Sequence, residues 1–177
     1  MSEVHEMSRV QLLLHQMDGV YARLRERLAG LTDDEYFWEP ASGCWTIHRD
    51  ESGAWVADYA EPDPDPAPVT TIGWRLVHVA DCKLMYHEWA FGPGKLVFPD
   101  LAPPATASGA IARLEEGQRL LRAELEALPD RALDEPRSTN WGEQWPAWRI
   151  FWAMIDHDAH HGAEIGCRRD LYRVRRS

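Results

Sequence analysis

The sequence predicts an all-α protein, a four-helix bundle, and three observations carry that prediction. Four stretches space their apolar residues three and four apart, as a helix with one buried face requires. No alternating strand pattern competes with them, and no internal repeat suggests a solenoid. The 177 residues suffice for one core and are too few to expect two, so residues 1–177 are expected to form a single domain.

The first helix runs from Ser8 to Leu28, with Val10, Leu13, Leu14, Met17, Val20, Tyr21, Leu24 and Leu28 on one side and Gly30 as its stop. The second opens at Thr70 or Thr71, both good N-caps, and passes through Trp74, Val77, Val79 and Met85 before "FGPG" ends it. A third starts near Ser108 and carries Ile111, Leu114, Leu121, Leu125 and Leu128 up to Pro129, with Glu and Arg on its other face. The fourth begins around Pro146, a residue suited to a first helical turn, and nothing forces a break before Gly166. Between the first two helices lies a long aromatic-rich connection of about 40 residues, Leu31 to Val69. Its Tyr36, Phe37, Trp38, Trp45, Trp55 and Tyr59 predict packing over one end of the bundle, with a short helix, and only "EPDPDPAP" reads as an extended spacer. The stretch from Leu128 to Trp145, with Trp141 and Trp145, is expected to cover the same end.

Composition removes several function classes. A formal charge of −10 repels polyanions, so nucleic acid is not an expected partner, and the arginines of "CRRDLYRVRRS" read as a solvated helix end that complements the helix dipole. No apolar run approaches the roughly 20 residues that span a bilayer, so no membrane insertion is expected. The start "MSEVHEMSRV" lacks the basic and apolar blocks of a signal peptide, which predicts a cytoplasmic protein. Cys44, Cys82 and Cys167 show no CxxC spacing and read as buried reduced thiols. Of 19 basic residues only Lys83 and Lys95 are lysines, a bias that suggests a high-GC bacterial genome.

The chemistry is expected in "DHDAHHGAEI", which holds His157, His160 and His161. Residues four apart on a helix differ by about 40°, so His157 and His161 can converge on one ion, whereas His160 lies about 100° from His161 and reads as an outer or solvent-facing group. On the same helix Trp148, Phe151, Trp152, Ile155, Ala159, Gly162 and Gly166 share the opposite side. Two apolar sides predict that one faces the bundle and the other a neighbouring subunit or the aromatic connection; a homodimer is the expected assembly. A third ligand is needed, and the second helix offers His78 and His87, about 180° apart. His78 shares its face with Trp74, Asp81, Cys82, Met85 and Trp89, a wall suited to a pocket, and is the choice. Cys82, one turn on, is a weaker candidate for a fourth ligand, because its thiolate would close a site that catalysis needs open. Asp81, Asp158 and Glu164 are candidates to hold an imidazole N–H, although a solvated helix face is the plainer reading of Asp158. The order HDAHH also invites comparison with H-E-x-x-H proteases, but Asp is shorter than Glu, no third ligand follows, and a helical bundle offers no peptide cleft.

Two stretches, "TTIGWRLVHVADC" and "HDAHHGAEI", together with "LTDDEYFWEP" and "GCWTIHRD", resemble the DinB-like superfamily. These are four-helix proteins that include DinB proteins, YfiT-type metal-dependent hydrolases, and thiol-dependent transferases and isomerases. The resemblance covers nearly the whole chain and implies a three-histidine metal site on His78, His157 and His161. It implies a divalent ion such as zinc, nickel or iron, a small-molecule substrate, and mycothiol or bacillithiol as a thiol cosubstrate, the Arg-rich composition favouring mycothiol. The chain departs from the pattern where "HRDESGAWVADYAEPDPDPAP" lengthens the link after "WTI", and Glu164 stands where the family often has Gln. Three neutral imidazoles leave an ion strongly Lewis acidic, able to acidify water for a hydrolase or a thiol for an S-transferase or isomerase. A non-enzymatic metal-binding stress-response module is the remaining reading. The Trp-rich walls (Trp45, Trp74, Trp89, Trp141, Trp145) suggest an apolar or aromatic electrophile, or else bundle core.

Overall fold

The computed structural model describes residues 6–62 and 64–176. Four long helices dominate: α1 Arg9–Leu28, α3 Ile72–Phe91, α4 Ala107–Ala127 and α5 Ala147–Arg176, with a one-turn helix α2 Asp33–Tyr36 between the first two. They pack as a bundle in which α1 lies on α5, and α3 lies on both α4 and α5. The starts follow capping chemistry. Ser8 and Thr32 each accept from the backbone N–H three residues on, while Gln11 and Glu35 reach back to the caps. Thr71 and Thr106 cap α3 and α4 in the same way.

Two antiparallel hairpins, unforeseen in the sequence, sit in the connections: β1 Ile47–Arg49 with β2 Trp55–Ala57, and β3 Pro136–Ser138 with β4 Gln144–Pro146. Strands of three residues are too short for a period of two to register. Pro146 closes β4 instead of opening the helix, which starts at Ala147. The two connections also cover opposite ends. Around α2, Asp33 accepts from the Ala107 backbone, and Glu35 pairs with Arg169 in the last turns of α5. The second hairpin lies at the other end, where Arg137 stacks over Phe91 and the preceding turn binds the start of α1 through Asp130. Of the expected spacer "EPDPDPAP", Asp63 lies outside the described residues, as do Met1–His5 of the leading segment.

The core has two apolar clusters. One gathers Leu24, Leu28, Tyr36, Ile72, Leu76 and Leu114; the other gathers Met17, Leu121, Leu125, Leu133, Phe151 and Met154. Beside them, on three helices, stand Lys83, Gln118 and Asp158, all buried. Lys83 Nζ donates to Asp158 at 2.8 Å and to Gln118 Oε1 at 2.9 Å, a polar layer that ties α3, α4 and α5 together. Gly117 makes this approach possible, since a Cβ there would lie 2.7 Å from Lys83 Cβ.

Four expectations are corrected. Asp158 is not on a solvated face: at positions 151, 154, 155, 158, 162, 165 and 166 α5 presents one continuous buried stripe, and Asp158 lies in it. Trp148 and Trp152 lie off that stripe and are 40% and 49% exposed. Arg169 is no solvated tail residue but is buried, binding Glu35 and the carbonyls of Arg27 and Ala29 that end α1. Among the cysteines, Cys44 and Cys82 are buried and Cys167 is exposed; all three are free. No helix among the described residues is long and apolar enough to cross a membrane.

Candidate metal centre

Two helices build the site. α3 contributes His78 and Cys82, one turn apart, and α5 contributes His157, His161 and Glu164. The rings of His78, His157 and His161 converge, with centroids 4.8 Å apart for 78 and 157, 5.2 Å for 78 and 161, and 4.4 Å for 157 and 161. His157 Nε2 faces His78 Nε2 at 3.0 Å. His87 is directed elsewhere, 3.4 Å from Glu124. His160 is exposed at the rim, with Nε2 3.7 Å from Glu164.

Burial makes these imidazoles poor bases. Desolvation first, then the neighbouring His161 and Arg75, pushes His78 down to about 4. Desolvation, helped by His78, His161, Lys83 and Arg75, pushes His157 down to about 2. His161 is also lowered by burial, against the pull of Glu164. At neutral pH the three rings are uncharged, the form that ligates a metal.

The surroundings orient two rings and leave one free. His161 Nδ1 hydrogen-bonds Glu164 Oε2 at 2.8 Å, and the same oxygen lies 2.8 Å from Arg75 Nε. Burial tends to raise Glu164, but the His161 hydrogen bond and the Arg75 charge outweigh it and hold the carboxyl below its usual range. His78 Nδ1 lies 3.9 Å from Cys82 Sγ. Trp74 stacks on His78 at 5.3 Å, and its indole N–H donates to the Asp58 carbonyl at 2.7 Å, so the end of the first hairpin braces α3 beside His78. His157 Nδ1 is buried with no hydrogen-bond partner.

The residues present suit a divalent ion. Two Nε2 atoms at 3.0 Å can share one proton or one cation, and a tetrahedral ion with bonds of about 2.0–2.1 Å would set them roughly 3.3 Å apart. Ligand atoms of His78, Cys82 and His157 all lie within 4.8 Å of one another, and those of His160, His161 and Glu164 satisfy the same limit at the rim. The rim group is the poorer one: His160 is exposed and Glu164 is already engaged by Arg75.

Of the three acids considered for orienting an imidazole, only Glu164 touches one of the three rings. Asp81, raised to about 6 by burial against the pull of Arg113, binds Arg113 at 2.9 Å, and Asp158 binds Lys83. Of the five tryptophans, Trp74 lies on His78 and Trp45 on Trp74 at 5.4 Å. Trp141 and Trp145 pack on Tyr86, two turns further along α3, and Trp89 is tied to the Leu96 carbonyl. Sequence reasoning missed Arg75 and Lys83. For Lys83 a signal existed, since it is one of two lysines and interrupts the apolar run from Val77 to Met85; Arg75 gave none.

Comparison with known proteins agrees with this architecture. Residues 16–165 match the sequence profile of the DinB superfamily. A search of curated proteins gives no match.

Proposed function

The chain belongs to the DinB superfamily, and from that premise we propose that it is a divalent-metal-dependent enzyme whose ion is held by His78, His157 and His161. The observation that carries the reading is the convergence of three partly buried, uncharged imidazoles from two helices, with two Nε2 atoms 3.0 Å apart. Zinc, nickel and iron all suit imidazole donors. Such an ion, when bound, acidifies a thiol or water brought to it.

The chain's own groups supply the rest. Glu164 accepts from His161 Nδ1 and so directs the remaining nitrogen of that ring inward. Arg75 holds the Glu164 carboxylate in place, and Trp74 fixes the plane of His78. Trp45 and Trp74 give the neighbourhood of the rings an apolar wall that excludes water and suits a small electrophile. We read the activity as S-transfer or isomerisation with a thiol cosubstrate of the mycothiol type; metal-dependent hydrolysis is the competing reaction. The exposed Trp148 and Trp152 on α5 support a second copy of the chain as partner, which sedimentation at several concentrations tests.

The test of the metal reading is elemental analysis of the dialysed protein. Wild type is expected to retain about one ion per chain, and the variant carrying both His157→Ala and His161→Ala none. Retention by the double variant refutes the assignment. Turnover of a panel of electrophiles with mycothiol or bacillithiol, compared with turnover in water alone, separates transferase from hydrolase.

A further inference from the structure

We propose that Cys82 is a ligand of this ion, so that the resting centre has a thiolate beside its imidazoles and takes thiols in preference to water. This rests on the metal reading above and refines its substrate class.

Proximity is the first argument. Cys82 Sγ lies 3.9 Å from His78 Nδ1, and it is the buried member of the group of His78, Cys82 and His157 whose ligand atoms fall within 4.8 Å. A tetrahedral ion with metal–sulfur and metal–nitrogen bonds of about 2.3 and 2.0–2.1 Å sets S and N roughly 3.6 Å apart, against the 4.8 Å within which one ligand atom of each residue falls, so the sulfur must close in on whichever His78 nitrogen holds the ion. One ion engages one nitrogen of His78, and the sulfur lies beside that ring on the α3 side while His157 approaches from α5.

Charge is the second argument. A dication brought among three neutral, partly buried rings calls for a negative partner. The nearby carboxylates are spoken for: Glu164 lies against Arg75, Asp158 against Lys83, and Asp81 against Arg113. Cys82 is the remaining acid in contact with the rings. Cys82 is buried, and a thiol in such surroundings without a cation is a neutral S–H. Metal binding replaces that proton: the S–H bond breaks, the proton leaves to solvent, and the sulfur lone pair forms the bond to the ion.

Two properties follow. A thiolate in the donor set favours thiophilic ions over magnesium and manganese. With three imidazoles and one thiolate the ion has four protein ligands, so a substrate enters by exchange. An incoming thiol would give its proton to the departing Cys82 sulfur and leave the ion one thiolate donor as before, whereas water, which can lose its proton in the same way, would replace sulfur by oxygen.

Cobalt(II) reports the ligand directly. The full-length protein loaded with one equivalent of cobalt is expected to show an intense near-ultraviolet sulfur-to-cobalt charge-transfer band. Cys82→Ala and Cys82→Ser are expected to bind cobalt with only the weak visible bands, and circular dichroism verifies their fold. If the wild-type spectrum lacks the band although cobalt is bound, or if the band survives in a folded Cys82 variant, the thiolate proposal is overturned while the histidine site stands. If folded wild type binds no cobalt, zinc or nickel, both readings fall.

Discussion

Replacing Lys83 by Met isolates the energetics of the polar layer. Lys83 and Asp158 side chains are each 1% exposed and meet at 2.8 Å. With an effective dielectric constant of about 20, their attraction is about 6 kcal/mol, and the desolvation of two ions is of the same order, so the pair contributes little net stability. Removing one partner is different. Lys83→Met deletes the one side-chain hydrogen-bond partner of Asp158 among the described residues, whose other oxygen, Oδ1, is already unsatisfied, and it strips Gln118 Oε1 as well. The expected loss is about 3–5 kcal/mol, the usual result of orphaning a buried charge, which for a chain of this size lowers the melting temperature by roughly 10–15 °C. Burial already raises the Asp158 carboxyl against the pull of Lys83, so the variant should be most destabilised at neutral pH and relatively less so in mild acid, where Asp158 can take up a proton. Adding Asp158→Leu to Lys83→Met should recover most of the loss, since two matched apolar groups leave no charge behind. Calorimetry of metal-free wild type, single and double variants at pH 7 and pH 5 decides. A single variant within about 1 kcal/mol of wild type, or a double variant no better than the single, refutes the reasoning.

Three further outcomes are expected. Glu164→Gln should keep the fold but weaken metal affinity at least about 10-fold, because His161 loses the anionic acceptor on Nδ1; competition with a chromophoric chelator measures it, and an unchanged affinity removes Glu164 from the centre. The pKa values of His78 and His157 are depressed to about 4 and about 2, so the unfolded chain binds protons first as pH falls below about 6.5, and metal-free stability is present above that pH and lost towards pH 4, by up to about 1.4 kcal/mol per pH unit for each group. Urea titrations from pH 7 to 4.5 should therefore show a shallower pH slope for His157→Gln than for wild type. Gly117→Ala places a methyl 2.7 Å from Lys83 Cβ; this crowding should outweigh the helix-propensity gain of about 1 kcal/mol and lower the melting temperature by a few degrees.

The helices were legible because their signal is local. Apolar periodicity, with Ser8 and Thr71 beside two of the starts and Ser108 near the third, locates α1, α3 and α4 nearly to the residue. The convergence of His157 with His161 is equally local, being one helical turn. His78 was reachable because its neighbours on α3 describe a wall. Lys83 with Asp158 was not, since the two are 75 residues apart and "DHD" reads as polar until the partner helix is placed. The same limit hid the hairpins, whose pairing is decided by what they cover, and grouped the exposed Trp148 and Trp152 with the buried Phe151 and Ile155, from which they differ by a fraction of a turn along α5.

The contact between His78 and His157 joins positions 79 residues apart in the chain. An ion seated between them would be a topological clasp. The segment it closes contains α4, the second hairpin and the start of α5, so opening the bundle would mean either releasing the ion or unfolding within a ring. By the chain-entropy model of a cross-link, a ring of that length restrains the unfolded ensemble by about 4–5 kcal/mol, comparable to a disulfide, in a chain whose three cysteines are all free. Unlike a disulfide, such a clasp opens to a chelator and closes again without a redox step, which makes the lifetime of the folded bundle a function of the metal supply around it.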